Sequence, residues 1–213
     1  MKPTKGRLDV HAKCSRSMKQ YGERMRLRFQ RITDISLFND FHCGVPAMDR
    51  FIHDSLQWCI DYNYCHVYAI YLSDEIIAMV ALSNDSLTLD LSDKEEMQAG
   101  FFPKPELSFD YQDTFWAKSN YPALEITYLA VREDKRRCGI GEFIVEAIAQ
   151  KAMDPGQNIA GCQFLTVEAY NNADYNAVGF YSRCDFIAAE LPNPNKETLR
   201  MFKLILPQKI TED

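Results

Sequence analysis

The amino-acid sequence predicts an α/β fold: a mixed central sheet of about six to seven strands with helices on both faces. Two observations support this class. Strand and helix patterns alternate in the second half of the chain, and the composition of the 213 residues, 46% hydrophobic and 25% charged, is typical of a globular protein. The longest apolar run, residues 76–82, has seven residues. A membrane span needs about 20 residues, so none is expected.

The first half predicts one strand, one helix and one hairpin. Residues 25–32 alternate between apolar and polar side chains, as a strand does. Pro46 opens a helix with an apolar stripe, which consists of Met48, Phe51, Ile52, Leu56, Cys59 and Ile60. Residues 65–72 and 76–82 are rich in β-branched and apolar side chains and are separated by a polar turn, which predicts a hairpin.

Residues 90–121 lack a clear periodicity. The stretch contains Gly100, Pro103 and Pro105 among many aromatic side chains. A segment of this length without a pattern is either a functional loop or an insertion. We therefore expect a long loop here, with its aromatic side chains forming one wall of an acceptor site.

The second half alternates regularly. Residues 124–131 predict a strand, and residues 139–153 an amphipathic helix whose apolar face follows the i, i+3, i+4, i+7 spacing. A strand over 162–169 and a short helix over 175–183 follow, and residues 185–190 and 199–206 close the predicted sheet.

Charge and cysteine content indicate how the chain is organised and in which compartment it acts. Residues 1–31 hold ten Lys and Arg against two Asp and Glu, whereas the rest of the chain is acidic. We expect residues 1–24 to be a basic, disordered arm and residues 25–213 to form a single domain. The seven cysteines show no C-x-x-C spacing, and the arm has no apolar signal core. A cytoplasmic protein with reduced thiols and no metal site is therefore predicted.

The segment between the strand at 124–131 and the helix at 139–153 predicts an anion site. Gly139 and Gly141 open the helix, and three cations precede them: Lys135, Arg136 and Arg137. The first N–H groups of a helix point outwards without partners and attract a phosphate. A diphosphate-bearing cofactor is the natural ligand, and an ordinary helix start is the alternative.

These residues resemble the acetyl-CoA motif of the GNAT N-acetyltransferase superfamily, Arg/Gln-x-x-Gly-x-Gly/Ala, with Arg136, Gly139 and Gly141 at its fixed positions. The strand over 164–169 and the segment 177–186 are similar to the later GNAT motif, Ala-x2-Phe-Tyr-x-Lys-x-Gly-Phe. Arg183 and Asp185 stand where the family has Lys and Gly. The two motifs cover residues 122–190, and the resemblance extends over residues 25–206. It implies the GNAT-like form of the α/β fold.

The resemblance also implies acetyl-CoA as co-substrate and assigns its contacts. The backbone of Leu129, Ala130 and Val131 would pair with the pantetheine amides, as an added strand does. The pyrophosphate would be held by the turn, which consists of Arg136, Arg137, Cys138, Gly139, Ile140 and Gly141. The family's Asn falls on Asp174, so the remaining cofactor contact is assigned to Asn172.

The same resemblance suggests two catalytic residues. Tyr181 would protonate the departing thiolate, and Glu125, six residues before Val131, would be the general base that deprotonates an amine. Each has a structural alternative, since Tyr181 could be a core aromatic and Glu125 a surface strand residue. The implied reaction is direct transfer of acetyl to a primary amine, without an acyl-enzyme.

Residues 41–52 are similar to the Phe-x-Cys-Gly-x3-Leu-Asp-x-Phe/Trp-Leu segment of toxin-type GNAT proteins, which acetylate aminoacyl-tRNA. The acidic body argues against tRNA, because binding requires neutralised phosphates, and it favours a cationic amine. The acceptor therefore stays open between a small molecule, a protein amine and tRNA. A non-catalytic module that binds acyl-CoA is the alternative to an enzyme. The partners also stay open to a homodimer, and no membrane partner is expected.

Overall fold

The structure is a computed structural model that describes residues 7–10, 27–100, 105–154, 160–189 and 197–206. The described residues form eight strands: β1 (Arg7–Val10), β2 (Leu27–Arg31), β3 (His66–Leu72), β4 (Glu75–Thr88), β5 (Asn120–Val131), β6 (Phe164–Tyr170), β7 (Ile187–Ala188) and β8 (Thr198–Leu204). They also form six α-helices: α1 (Pro46–Asp54), α2 (Leu56–Asp61), α3 (Leu91–Ala99), α4 (Phe109–Ala117), α5 (Ile140–Met153) and α6 (Val178–Arg183).

The strands follow the order β1-β2-β3-β4-β5-β6-β8-β7 in a mixed sheet. β5 and β6 pair in parallel, with Ala123, Leu124 and Glu125 opposite Phe164, Leu165 and Thr166. The ladders β1–β2, β2–β3, β3–β4, β6–β8 and β7–β8 are antiparallel. The predicted mixed α/β class is confirmed, and the described sheet has one strand more than the upper end of the expected range.

The chain divides into two compact units. The first unit comprises Met1–Ser83 and Ile126–Ile148, and the second comprises Asn84–Glu125 and Ala149–Asp213. In the first unit β2 and β3 pair from Leu27 opposite Leu72 to Arg31 opposite Tyr68. The amphipathic helix α1 buries Met48 and Ile52, as its apolar stripe predicts.

The second unit has its own hydrophobic core. It is built from Leu87, Leu89, Met97, Phe115, Tyr121, Ala123, Phe164 and Phe202. Helix α3 supplies Met97 and helix α4 supplies Phe115, and both side chains are fully buried. The Tyr121 hydroxyl donates to the Phe115 carbonyl at 2.8 Å, so the polar tip of the buried phenol has a partner.

The prediction of a long loop over residues 90–121 is wrong, because α3 and α4 lie within it. Helix α3 begins with a reciprocal capping box, in which the side chains of Asp90 and Asp93 each accept the other residue's backbone N–H. It ends at Gly100, whose φ of 85° lies in the left-handed region. Gly100 therefore marks the end of a helix rather than part of a continuous loop. Residues 101–104 lie outside the described residues.

Two further boundaries differ from the prediction. The stripe that starts at Pro46 is divided into α1 and α2 at Ser55. Residues 7–10, in the segment expected to be a disordered arm, form β1 and pair with β2 along its outer side. The other residues of that arm lie outside the described residues. The single domain over 25–213 stays a prediction.

No helix among the described residues is long and apolar enough to cross a membrane.

Candidate functional site

The turn between β5 and α5 has the backbone of an anion-binding loop. Arg137 and Gly139 have φ values of 60° and 78°, so two left-handed residues precede the helix. The N–H of Phe143 donates to the carbonyl of Gly139 at 3.0 Å, which closes the first turn of α5. The amides of Ile140 and Gly141 therefore belong to the helix start, where N–H groups point outwards.

This arrangement suits a phosphate. Left-handed residues next to ordinary ones fold the N–H groups into a concave nest, and the helix dipole adds partial positive charge. Arg137 is exposed and adds a full charge beside the nest. A non-glycine residue in the left-handed region is uncommon and costs about 1–2 kcal/mol. Arg137 thus occupies a conformation that the surrounding turn must hold in place.

The other cations of the turn already have protein partners. Arg132 forms ion pairs of 2.6 Å with both Glu75 and Asp134, and Lys135 lies 3.7 Å and 3.5 Å from the same two carboxylates. Asp134, followed by Glu75, raises the pKa of Arg132 above its ordinary value. The sequence suggested that Lys135 and Arg136 donate to a phosphate, whereas these contacts assign Lys135 to stabilising the turn.

Arg136 connects the turn to the segment before α1. Its Nη1 donates to the Cys43 carbonyl at 3.0 Å, and the backbone N–H of Glu133 donates to the His42 carbonyl at 3.0 Å. Gly44 lies so close that a Cβ added there would be 2.8 Å from Glu133 Cδ. The toxin-like segment 41–52 and the candidate phosphate turn are therefore in direct contact.

Asp49 fixes the same segment from the other side. Its carboxylate accepts the backbone N–H of Cys43 at 2.7 Å and that of Gly44 at 3.2 Å. Burial alone would raise the pKa of Asp49, but these hydrogen bonds outweigh burial and hold it below its usual value. Burial, followed by the neighbouring Asp49, raises the pKa of the Cys43 thiol to about 11. These contacts give the Cys-Gly and Asp positions of the motif a structural role.

The predicted pantetheine strand is the end of β5. Leu129 and Val131 are half-buried and Ala130 is buried. Next to them, the ring of Tyr128 lies 4.0 Å from that of Phe51 on α1. The strand end and the turn belong to the first unit, together with the remaining predicted pyrophosphate residues.

The other predicted site residues belong to the second unit. Tyr181 lies on α6 and is buried against the rings of Phe180 and Phe186, at 4.9 Å and 5.4 Å between centroids. Burial raises its pKa well above the ordinary value, so the phenol stays protonated at neutral pH. Asn172 accepts the backbone N–H groups of Asp174 and Tyr175 with its side-chain oxygen, at 3.1 Å and 2.9 Å.

Glu125 is half-buried on β5, opposite Thr166 of β6 in the last pair of the parallel ladder. Near this pair lies a charged cluster that sequence reasoning did not find, and we call it the Arg200 cluster. It consists of Asp85, Thr166, Glu168, Thr198 and Arg200. Arg200 donates to Asp85 at 2.5 Å and to Glu168 at 3.2 Å.

The remaining contacts of the cluster complete its hydrogen bonds. The buried Thr166 hydroxyl donates to Asp85, and the Thr198 hydroxyl donates to Glu168 at 3.0 Å. Burial would lower the pKa of Arg200, but Asp85 and Glu168 outweigh burial and raise it. The only sequence signal was a series of polar residues at alternate strand positions. Such a series is equally typical of a solvated sheet face.

Among the described residues, no group of three or more His, Cys, Asp or Glu side chains could hold a metal ion. The six described cysteines, which include Cys43 and Cys138, are not joined in disulfides.

Comparison with known proteins identifies the family. The sequence profile of the acetyltransferase (GNAT) family matches residues 31–186, which is most of the chain. The chain belongs to the GNAT acetyltransferase family. No curated protein sequence matches this GNAT protein.

Solved structures share the fold at low sequence identity. A mutant of KacT is 21% identical with a TM-score of 0.55, and the match covers 84% of this chain and 95% of that one. AtaT complexed with acetyl-methionyl-tRNAfMet is 18% identical with a TM-score of 0.54, covering 82% and 93%. AtaTR bound with AcCoA is 17% identical with a TM-score of 0.53, covering 84% and 94%. Toxin-type GNAT proteins are thus among the structural neighbours of this one, as the resemblance of residues 41–52 predicts.

Proposed function

We propose that this GNAT protein transfers the acetyl group of acetyl-CoA directly to a primary amine. The observation that carries the proposal is the turn from Arg137 to Gly141, where two left-handed residues present the first amides of α5 to an anion. A structural neighbour was solved with AcCoA, which supports the same ligand for this turn. Cysteines that are not joined in disulfides in the described part of the chain are consistent with action in the cytoplasm.

In this proposal the first unit holds the co-substrate. Backbone groups of Leu129, Ala130 and Val131 pair with the pantetheine amides, and the turn residues through Gly141 bind the pyrophosphate. Arg136 contributes mainly by stabilising the turn, because its side chain donates to Cys43. The side-chain oxygen of Asn172 already accepts two N–H groups, so its amide nitrogen is the group proposed for the cofactor contact.

Glu125 and Tyr181 are the proposed catalytic residues. An ammonium group must lose a proton before its nitrogen can attack the thioester carbonyl, and Glu125 would accept that proton. As the C–N bond forms and the C–S bond breaks, Tyr181 would donate its proton to the departing thiolate and recover a proton from the nitrogen, which must lose a second proton to become the neutral amide. A free thiol has a pKa of about 8.5, below that of a phenol. Tyr181 therefore acts first by hydrogen bonding to the developing thiolate, and the proton that the nitrogen gives up, relayed through Tyr181, is the one that finally protonates the thiolate.

A second candidate acceptor is the α-amino group of aminoacyl-tRNA. The contacts of residues 41–52 support it, because Gly44 and Asp49, two residues of the toxin-type motif, make specific contacts here. A structural neighbour, AtaT, was solved with acetyl-methionyl-tRNAfMet. The acidic body of the chain favours the alternative, a small or peptidyl cationic amine.

Thermal unfolding with acetyl-CoA, NAD or ATP tests the binding step. A ligand at about 100 times its dissociation constant stabilises a protein by roughly 2.7 kcal/mol. For a chain of this size the melting temperature should rise by about 5–10 °C. We expect this rise with acetyl-CoA alone, and its absence would contradict the proposed role of the turn.

Turnover with lysine, spermidine, an unblocked peptide and methionyl-tRNA, followed by release of the CoA thiol, tests the reaction and the acceptor. Tyr181→Phe and Glu125→Gln should lose turnover while keeping the thermal shift with acetyl-CoA, and Tyr175→Phe is the matched control. Binding of acetyl-CoA without turnover on any amine would favour a non-catalytic module. Turnover on methionyl-tRNA alone, with growth arrest relieved by Tyr181→Phe, would select the toxin-type reaction.

A further inference from the structure

The Arg200 cluster shares a sheet face with Glu125. Glu125 and Thr166 are partners in the parallel ladder, so their side chains point to the same face. Glu168 lies two residues beyond Thr166, and Arg200 is its partner on β8, which places both on that face. Because β5 runs between β4 and β6, the bond from Asp85 to Thr166 crosses β5 on the face that carries Glu125.

The charges of the cluster are held in fixed positions. Asp85 accepts the Ser86 N–H at 2.7 Å with Oδ1, and it accepts Arg200 and the Thr166 hydroxyl with Oδ2. The exposed fraction of the side chain is 25% for Arg200 and 21% for Asp85. Water therefore screens these charges less than it would screen surface groups. The cluster imposes a fixed electrostatic field on its neighbours.

We propose that Asp85 and Arg200 are positioning residues that set the pH at which Glu125 loses its proton and becomes a base. The charge of Asp85 raises that pH, and the charge of Arg200 lowers it. This inference rests on the proposed role of Glu125. Among the residues that the structure describes, three strands bring charged groups to this face: Asp85 from β4, Glu168 from β6 and Arg200 from β8. The phenol of Tyr121 on β5 belongs to the apolar part of the same face, where burial raises its pKa, and Tyr111 of α4 packs against that part.

The expected effects follow from Coulomb's law. Asp85→Asn removes a negative charge, so Glu125 should lose its proton more readily and the acid limb of the pH–rate profile should move to lower pH. Arg200→Gln removes a positive charge, and the limb should move to higher pH. For one partly screened charge on a neighbouring strand, each shift should be on the order of 0.5–1 pH unit.

The experiment measures kcat/KM against pH for the full chain, with acetyl-CoA and the best acceptor of the panel described above. The acceptor's own titration is common to all variants and cancels in the comparison. Lys203→Gln is the matched control, because it removes a cation from β8 at a position that alternates with Arg200 and is paired with Leu165. Arg200→Lys keeps the charge and should keep the wild-type limb.

Opposite shifts for Asp85→Asn and Arg200→Gln, with Lys203→Gln unchanged, support the proposal. An unchanged limb, or shifts in the same direction, would overturn it and would leave the acetyltransferase function standing. If Arg200→Gln does not unfold cooperatively, the nearly isosteric Asp85→Asn still tests the proposal. Its acid limb must move to lower pH. A wild type without acetyl transfer, established first, would overturn the proposed function and this inference with it.

Discussion

Gly44 allows the contact between the segment before α1 and the turn after β5 to be tested with one methyl group. A Cβ there would lie 2.8 Å from Glu133 Cδ and 2.9 Å from Oε1, and the φ of Gly44 is 76°. The left-handed backbone costs an alanine about 1–2 kcal/mol. Moving the Glu133 side chain off its rotamer costs about 1 kcal/mol more. We therefore expect Gly44→Ala to lower the free energy of unfolding by about 2–3 kcal/mol.

Thermal unfolding measures this loss. A chain of this length loses about 2–4 °C of melting temperature per kcal/mol, so Gly44→Ala should melt about 4–12 °C lower. Gly100→Ala is the matched control, because Gly100 has a φ of 85° but no atom within 4 Å of an added Cβ. Gly100→Ala should show the backbone cost alone. Its fall in melting temperature should be about 2–4 °C smaller than that of Gly44→Ala.

A second substitution separates the close contact from the backbone cost. Glu133→Ala in the Gly44→Ala background removes the crowded side chain and keeps the backbone N–H that donates to His42. The double variant should recover the steric part of the loss. Equal losses for Gly44→Ala and Gly100→Ala, together with no recovery in the double variant, would refute the argument that this close approach requires glycine.

Three further outcomes are expected. Asp49→Asn should lower the free energy of unfolding by about 1–3 kcal/mol at neutral pH. Because the fold lowers the pKa of Asp49, the stabilisation by its carboxylate should disappear as the pH falls through that lowered pKa. Urea unfolding of both proteins at several pH values would detect this loss. The Cys43 thiol, with a pKa of about 11, should resist iodoacetamide in the folded chain and react after unfolding, as mass spectrometry would show. Phe115→Ala should cost about 3–5 kcal/mol in chemical unfolding, whereas Phe109→Ala, at a side chain that is 84% exposed, should change stability by less than about 0.5 kcal/mol.

The strand, turn and helix around the candidate phosphate site could be predicted from the sequence because their signals are local. The apolar strand at 124–131 and the helical spacing after Gly139 correspond to β5 and α5. What the sequence could not show is the partner of each cation. Arg132, Lys135 and Arg136 look equivalent in the sequence, but their contacts depend on Glu75 and Cys43, which are distant in the chain.

Helices α3 and α4 were not predicted, for a different reason. Among the nine residues of α3 only Asp93 and Met97 are buried, so no apolar stripe marks the helix. Its signal is the Asp90–Asp93 capping box, which periodicity does not detect. In α4 the aromatic residues face both ways, since Phe115 is buried and Phe109 is exposed.

The Arg200 cluster could not be found from one sequence because its members meet only in the folded sheet. Asp85 is 81 residues from Thr166 and 115 residues from Arg200. Each residue alone is an ordinary polar position on a strand. Only the strand order and register bring the three onto one face with Glu125.

The segment that carries α3 and α4 has a consequence for anyone who wishes to design a smaller version of this protein. Met97 and Phe115 complete the apolar core around Tyr121, Phe164 and Phe202. Deleting the two helices would leave these three rings on a bare sheet face, where they would promote aggregation. A minimal version of this enzyme would therefore need polar replacements on the sheet before the helices could be removed. The two helices are therefore an integral part of this core rather than a detachable addition.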